Sequence, residues 1–267
     1  MEGGRSSMSS RIEIKNLNKT FLRSDTEGTL CAIEDLNFTV EPGEFVSIVG
    51  TSGCGKTTLL RIIAGLDIPT RGEVLCGGEE IRGTSPERGL VFQEHTLFPW
   101  LTVKKNILFA LESSKRDRRS NFSIVASLLK TAGLEEFADS FPHQLSGGMR
   151  QRAALIRSLA VSPDVLLLDE PLGALDSFTR MTLQDEIIRL WQERGNTMVL
   201  ITHDIDEAIY LSQRIVVMSP RPGRIAEIID VSSSYPRNRG ASSFAELRFK
   251  LLKLLNFASD IQQDYYL

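Results

Sequence analysis

The sequence has few cysteines, no long apolar run and no large excess of charge of one sign, and each absence narrows the possible functions. Its three cysteines are widely spaced and form no Cys-x-x-Cys pair, so we expect a reducing compartment and no disulfide framework. No apolar stretch approaches the roughly 20 residues of a membrane-spanning helix, and the N-terminal residues lack the apolar core of a signal peptide. The formal net charge of −3 offers no basic field to a nucleic acid. If a membrane is involved, we therefore expect it to act through a partner.

The composition is that of an ordinary globular protein. Among 267 residues, 42% are apolar and 24% charged, which fits one large α/β domain or a core domain with a smaller subdomain. The densest basic stretch, residues 115–119, fits a solvated helix end or loop, and the three histidines show no metal-ligand spacing. Residues 1–10, MEGGRSSMSS, are expected to form a disordered leader.

Short apolar runs separated by helical patterns dominate the middle of the chain. The runs at 45–49, 165–168, 198–201 and 215–218 are typical of strands buried on both faces. Their alternation with helical patterns predicts a mostly parallel sheet covered by helices on both sides. Residues 11–15 alternate as an edge strand does, and residues 32–40 alternate in the same way. Residues 94–160 are helical in pattern, which predicts an inserted helical subdomain, and an amphipathic helix is expected at 244–257.

Residues 50–57 read Gly-x-x-x-x-Gly-Lys-Thr and stand between a buried strand and a helical pattern, the context that a phosphate-binding loop requires. The glycines let backbone N–H groups turn toward phosphate oxygens, and the following helix adds its partial positive charge. We expect Lys56 to reach the β- and γ-phosphates of ATP and the Thr57 hydroxyl to bind Mg²⁺. The predicted ATP-binding residues are Gly50, Thr51, Ser52, Gly53, Cys54, Gly55, Lys56, Thr57 and Thr58. The loop alone would fit kinases, GTPases and motor ATPases equally.

Two adjacent carboxylates, Asp169 and Glu170, follow the apolar run at 165–168. Ligands of parallel sheets bind beyond the carboxyl ends of the strands. Asp169 is therefore predicted to hold Mg²⁺, directly or through water, and Glu170 to be the general base that orients the attacking water. A solvated strand end is the alternative, and it explains two acids less well than one.

Residues 145–152, LSGGMRQR, form a second potential anion site at the start of a helical run. Ser146 suits a helix N-cap, and Gly147 and Gly148 leave the backbone amides unobstructed. An ordinary serine-capped helix would explain this segment taken alone. Because the nucleotide already has its phosphate loop, a second anion site needs a separate explanation.

Together these segments resemble the ATPase subunits of ABC transporters over about residues 11–230. The resemblance to the ABC signature is carried by Leu145, Ser146, Gly147, Gly148 and Gln151. It implies an α/β fold of the P-loop NTPase ABC ATPase type. That fold has a mostly parallel sheet core, a helical subdomain at about 94–160, an N-terminal antiparallel β region and, here, a tail at 231–267 that contains a helix.

The same resemblance gives roles to four further residues. Phe21 corresponds to the aromatic residue that stacks on adenine, and Asp176 to the aspartate of the D-loop. Gln93 is similar to the Q-loop glutamine near Mg²⁺ and water, and His203 to the switch histidine that contacts the γ-phosphate. Gln93 and His203 thus join Glu170 as expected catalytic residues, and Gln93 joins Thr57 and Asp169 as an expected metal ligand. A core aromatic, a surface glutamine and a strand-end histidine are the ordinary alternatives for Phe21, Gln93 and His203.

In that family two subunits pair head to tail, and each ATP lies between the phosphate loop of one and the signature of the other. Closure on ATP completes the site, and hydrolysis loosens the pair. The implied partners are a second copy of the chain, an integral membrane permease and a periplasmic or lipid-anchored solute-binding protein, with no nucleic acid. The implied location is peripheral, at the cytoplasmic face of the cell membrane.

Four segments, residues 47–50, 93–103, 204–208 and 219–225, resemble the nitrate, sulfonate and taurine importer branch, although Thr51 replaces the proline usual in its loop. Residues 93–103 are expected to receive the permease, with plain core packing as the alternative. The expected function is ATP-driven import of nitrate, a sulfonate, taurine or a similar small anion. An exporter or lipid-extraction ATPase is the first alternative. A soluble ABC ATPase acting on DNA or ribosomes is the second, and the acidic charge and the lack of coiled coils, zinc fingers or tandem cassettes disfavour it.

Overall fold

The computed structural model describes residues 9–22, 28–92, 97–113, 118–161, 163–173 and 176–255. Among these, residues 85–198 form one unit, and residues 10–84 with 199–255 form another, the two-segment unit. Within the described residues, no helix combines the length and the apolar character that crossing a bilayer requires.

An antiparallel sheet opens the two-segment unit. Its four strands run in the order β2, β1, β4, β5, and they are β1 (Ile12–Leu22), β2 (Thr29–Val40), β4 (Arg71–Cys76) and β5 (Glu79–Glu80). The alternation at residues 11–15 does produce a strand, but the edge position expected for it is wrong. Ile12 pairs with Val40 on one side and with Cys76 on the other, because β4 supplies a second partner that the sequence pattern does not reveal.

The same unit contains strands of a second, mixed sheet. β3 (Phe45–Gly50) is buried at all six residues, which explains why its sequence is mostly apolar and does not alternate with exposed polar residues. It pairs in parallel with β9 (Arg214–Met218), and β10 (Ile225–Asp230) runs antiparallel to β9. Helix α1 (Lys56–Ile63) follows β3 and buries its apolar face. A five-residue loop, residues 51–55, therefore connects the end of β3 to the start of α1.

In the described part of the 85–198 unit, two strands pair in parallel and four α-helices are present. β6 (Arg88–Val91) lies beside β7 (Val165–Asp169), with Val91 opposite Leu168. The helices are α2 (Val103–Ser113), α3 (Arg118–Thr131), α4 (Gly147–Ala160) and α5 (Ser177–Arg194). The described part of residues 97–160 contains helices and short 3₁₀ turns but no strand. The bounds proposed for a helical subdomain remain a prediction.

The last elements lie in the two-segment unit, apart from the first two residues of β8. β8 (Thr197–Ile201) is followed by α6 (Ile205–Leu211), and the tail ends in α7 (Ser242–Leu254). Phe244 and Leu251 of α7 are buried, and Arg248 makes a two-pronged ion pair with Asp206 of α6. The helix expected at 244–257 thus starts two residues earlier, and its last two predicted residues lie outside the described part of the chain.

Candidate functional site

The N-terminus of α1 is built to receive an anion. Gly55 precedes the helix in the left-handed conformation with φ of 100°, and no side chain caps the helix among the described residues. By contrast, Ser146, Asp176 and Asp204 each cap the helix that follows them. The first N–H groups of a helix have no partner within the helix and carry its partial positive charge. The start of α1 is therefore open to phosphate oxygens.

The glycines of residues 50–57 are required by close approaches as well as by backbone conformation. A Cβ at Gly50 would lie 2.6 Å from the Cys54 sulfur, and one at Gly55 would lie 2.9 Å from the Ala32 carbonyl oxygen. Gly53 also has a positive φ, of 76°. A side chain at these positions would push the loop away from its supports. The phosphate-loop conformation thus depends on glycine for steric reasons.

Lys56 points back into its own loop. Its ammonium group donates to the carbonyl oxygens of Gly50 at 2.8 Å and Thr51 at 3.1 Å, and the side chain is buried. The cation therefore lies at the centre of the loop, where phosphate oxygens would meet it. Around it, Cys54 is buried, Thr51 and Thr58 are half-buried, and Ser52 and Thr57 are exposed.

A second loop of the two-segment unit, residues 219–224 between β9 and β10, supports the phosphate loop. Gly223 donates to the Ala32 carbonyl at 2.9 Å and accepts from the Glu34 N–H at 3.0 Å. Arg221 donates from Nε to the Gly53 carbonyl oxygen at 3.1 Å. In the sequence, residues 219–225 serve only as a marker of a family branch, and the pattern does not predict this contact with the loop.

His203 is exposed in the turn that follows β8, and hydrogen bonds fix the residues on either side of it. The Thr202 backbone N–H donates to the carbonyl of Ile48 in β3 at 3.3 Å, and its hydroxyl hydrogen-bonds to buried Glu207. Asp204 caps α6 by accepting from the N–H groups of Asp206 and Glu207. The histidine therefore lies at the same carboxyl edge as the end of β3, where the phosphate loop begins.

Phe21 lies near the end of β1 with its side chain half-buried. The ammonium group of Lys19 is 4.8 Å from its ring centroid. Phe21 is therefore not a core aromatic residue, which was the ordinary alternative for it. Its stacking on adenine remains a prediction.

In the 85–198 unit the two predicted carboxylates follow one another at the end of β7. Asp169 is 8% exposed, and Glu170 is half-buried. Glu170 has a left-handed backbone with φ of 44°, a conformation that costs a non-glycine residue on the order of 1 kcal/mol and often marks functional positions. The backbone thus turns sharply at the residue predicted to be the general base.

The signature segment forms the start of α4. The Ser146 hydroxyl accepts from the Met149 N–H at 3.3 Å, and a Cβ on Gly147 would meet nothing within 4 Å. Ser146 is exposed, Gly148 is half-buried, and Leu145 and Gln151 are buried. The serine and the two glycines are therefore accessible from outside the helix, while the residues on either side anchor the segment.

Asp176 is exposed and caps α5. The backbone N–H of Thr179 donates to its carboxylate at 3.0 Å, and this bond, with a further one from the Thr179 side chain, holds the pKa of Asp176 below its usual range. Gln93, and the two residues before Asp176, lie outside the described residues.

A comparison with family models matches residues 33–173 to the ABC transporter family. The chain belongs to the ABC transporter family. It is an ATP-binding and ATP-hydrolysing cassette of a transport system, and its fold class is the one predicted.

Relatives cover nearly the whole length of this ABC cassette. The aliphatic sulfonates import ATP-binding protein SsuB of Bacillus thuringiensis subsp. konkukian is 47% identical over 94% of this chain and 98% of its own. An uncharacterized ABC transporter ATP-binding protein of Methanocaldococcus jannaschii is 46% identical, with coverage of 94% and 93%.

The solved structure of the ATP-binding cassette MJ0796, as a dimer in a post-hydrolysis state bound to ADP and Pi, superposes with a TM-score of 0.73. It is 33% identical and covers 84% of this chain and 100% of its own. The similarity to the sulfonate importer agrees with the importer branch expected from the sequence.

Sequence reasoning missed Lys19, Arg221 and Gly223 as neighbours of the site. The sequence could have indicated Lys19, because residues two apart on a strand share a face and Lys19 is two positions before Phe21, the predicted adenine-stacking residue. Arg221 and Gly223 offered none, since their contacts with Gly53 and Ala32 join distant parts of the chain.

Proposed function

We propose that this cassette binds Mg²⁺-ATP between two copies of itself and hydrolyses it to energise import of an aliphatic sulfonate or a related small anion. The observation that carries the nucleotide site is the uncapped N-terminus of α1 behind left-handed Gly55. The solute class is supported by the 47% identity to an aliphatic sulfonate import protein over 94% of the chain.

Phosphate binding would use groups that the loop already presents. The N–H groups at the start of α1 would donate to the phosphate oxygens, and Lys56 would exchange its bonds to the Gly50 and Thr51 carbonyls for bonds to the β- and γ-phosphates. Phe21 would stack on the adenine ring. These contacts would hold the nucleotide at both its phosphate chain and its base.

The residues present fit a Mg²⁺ ion held jointly with the substrate. No three His, Cys, Asp or Glu side chains gather into a metal site in the part of the chain that the structure describes. Mg²⁺ bound with nucleotides uses only one or two protein carboxylates and takes its other ligands from phosphates and water. Thr57, Asp169 and Gln93 would hold the ion. When bound, it would neutralise charge on the phosphate oxygens.

Two residues would promote hydrolysis, and each of them lies in the turn that follows a strand. Glu170 would orient the attacking water and accept its proton on a carboxylate oxygen. His203 would contact the γ-phosphate from a turn that Thr202 and Asp204 hold in place. Both roles depend on positioning and charge rather than on a covalent intermediate.

The second anion site supports a head-to-tail pair. The accessible Ser146, Gly147 and Gly148 would contact the γ-phosphate of an ATP bound to the partner copy, and Asp176 would lie at the same interface. A dimeric structure of the related cassette MJ0796 supports the pairing of two copies. An integral membrane permease and a solute-binding protein would complete the transporter and hold the cassette at the cytoplasmic face of the membrane.

Glu170→Gln tests the paired site. The variant should bind ATP, lose hydrolysis and accumulate as a dimer, because the bound nucleotide holds the pair together and is not consumed. Light scattering after size exclusion, with and without Mg²⁺-ATP, measures the dimer. Glu193→Gln, the same change at an exposed position of α5, should behave as wild type. A Glu170→Gln variant that stays monomeric in ATP, even with its permease present, would refute the paired site.

Lys56→Ala tests the phosphate loop itself. It should lose most of its ATP affinity, because a cation within the loop is removed, whereas Lys15→Ala on the exposed face of β1 should not. Calorimetric titration measures both. The solute is tested separately, by asking whether an aliphatic sulfonate, taurine or nitrate stimulates ATP hydrolysis in the complex with its permease and binding protein.

A further inference from the structure

Phe21, the predicted adenine-stacking residue, has a cation beneath it. Lys19 and Phe21 lie two residues apart on β1, and the Lys19 ammonium is 4.8 Å from the centroid of the Phe21 ring. An ammonium within about 6 Å of a ring centroid is attracted by the negative face of the ring. One face of the ring is therefore taken by a side chain of the protein, and the ring is only half-buried.

Two oxygen acceptors also hold the Lys19 ammonium. Its ammonium donates to Asp67 Oδ1 at 2.6 Å and to the Ile68 carbonyl oxygen at 2.7 Å, and its side chain is only 12% exposed. Ordering a lysine side chain costs about as much free energy as an exposed ion pair returns, so the partly buried position and the combined contacts hold Lys19 in place. The ammonium is thus fixed between an aromatic ring and two oxygen acceptors.

The acceptors of Lys19 connect the ring to the phosphate loop. Asp67 and Ile68 follow α1, and the Asp67 N–H donates to the Arg61 carbonyl in the last turn of that helix at 3.3 Å. The N-terminus of the same helix would hold the phosphates. Lys19 therefore links the proposed base-binding ring to the proposed phosphate-binding helix, and so sets the separation between the two ends of the nucleotide site.

We propose that Lys19 is a positioning residue for the nucleotide base: it covers one face of the Phe21 ring, fixes the ring relative to α1 and leaves the opposite face for adenine. The inference rests on the proposed role of Phe21. It predicts that Lys19 matters for ligands that carry a base and not for ligands that carry phosphates alone.

Two ligands separate a base-positioning role from a general structural one. ATP and inorganic tripolyphosphate share the phosphate chain, and only ATP has a base to stack. Binding of each, with Mg²⁺, is measured by calorimetry for wild type and for Lys19→Met, Lys19→Arg, Phe21→Ala and Lys15→Met. Lys15 is a matched control, because it lies on the same strand and its own side chain is exposed, where it pairs with Glu13 and Glu73.

Lys19→Met should weaken ATP binding by about three- to tenfold, the range set by the loss of one cation–π contact and the ordering that it provides. It should leave tripolyphosphate binding unchanged. Lys19→Arg keeps a cation over the ring and should restore most of the ATP affinity, and Lys15→Met should alter neither ligand. Phe21→Ala should reproduce the selective loss of ATP affinity.

Three results would overturn the inference. Equal losses for ATP and tripolyphosphate in Lys19→Met would mean that the lysine supports the fold and not the base. A selective loss in Phe21→Ala but not in Lys19→Met would overturn the role of Lys19 alone and leave the nucleotide site intact. If Phe21→Ala kept the wild-type ratio of the two affinities, both the stacking role of Phe21 and the inference would fail.

Discussion

Gly223→Ala should distort the phosphate loop and weaken ATP binding, although Gly223 itself lies outside residues 50–57. Gly223 is buried in the loop between β9 and β10, and a Cβ there would lie 2.0 Å from the Cys54 carbonyl oxygen, about 1 Å closer than such contacts allow. It would also lie 2.8 Å from the end of the Met218 side chain. Methionine can move, but the Cys54 carbonyl belongs to the loop backbone.

The size of the effect on ATP binding depends on which group in contact with the added Cβ can move. Gly223 is tied on both sides by hydrogen bonds to Ala32 and Glu34, so the Cys54 carbonyl must move instead. Because a peptide group is planar, displacing that oxygen also turns the N–H of Gly55, one of the groups expected to face phosphate. Loss of one hydrogen bond to a charged group costs about 1.5–3 kcal/mol, or roughly a ten- to hundredfold loss of ATP affinity. Overpacking should lower the free energy of unfolding by about 1–3 kcal/mol.

Thermal unfolding without nucleotide and calorimetric titration with ATP measure the two effects. Gly83→Ala is the control, because a Cβ at Gly83 meets nothing within 4 Å and its backbone is not left-handed. It should leave both quantities at wild-type values. If Gly223→Ala bound ATP as tightly as wild type, the loop between β9 and β10 would not support the phosphate loop, whatever the change in stability.

Three further substitutions test other parts of the two-segment unit. Burial raises the pKa of Tyr235 from 10.0 to about 12. The neutral phenol therefore stabilises the fold below pH ~10, and the free energy of unfolding falls by about 2–3 kcal/mol as pH rises from ~10 to ~12. Urea unfolding across that range should show this fall in wild type and not in Tyr235→Phe. Arg237, 5% exposed, donates to five backbone carbonyls, so Arg237→Met should lower the free energy of unfolding by about 3 kcal/mol in urea. Arg221→Gln removes the bond to Gly53 and should weaken ATP binding about two- to fivefold, whereas Arg224→Gln, the exposed neighbour paired with Glu34, should not.

Each of these expectations has a contradicting outcome. Equal alkaline losses in wild type and Tyr235→Phe would show that another group titrates. An Arg237→Met variant as stable as wild type would mean that water replaces the guanidinium at those carbonyls. Equal effects of Arg221→Gln and Arg224→Gln on ATP binding would reduce the role of Arg221 to its charge.

Interactions within a short stretch of chain can be predicted from the sequence pattern. The strand before Gly50, the glycines and the helix after Lys56 are contiguous, and the groups that would bind phosphate are mostly their backbone amides. The same holds for the Ser146 cap and for the carboxylates at the end of β7, because each depends on a few neighbouring residues. Local physics therefore makes the nucleotide-binding family recognisable from sequence patterns.

Contacts between distant segments cannot be predicted in this way. β1 was expected at an edge because its alternation says nothing about β4, which pairs with it from about 60 residues farther along the chain. Lys19 reaches Asp67 across 48 positions, and Arg221 reaches Gly53 across 168.

The sequence by itself determined the kind of chemistry, because a phosphate loop, paired carboxylates and a signature segment are each local arrangements of backbone and side chain. The tertiary structure alone decided which residues support those arrangements. Strand register and loop packing bring a glycine from the β9–β10 connection against Cys54, and a lysine of β1 between an aromatic ring and the end of α1. Such contacts depend on the packing of segments that are far apart in the chain, and no short stretch of sequence contains that information.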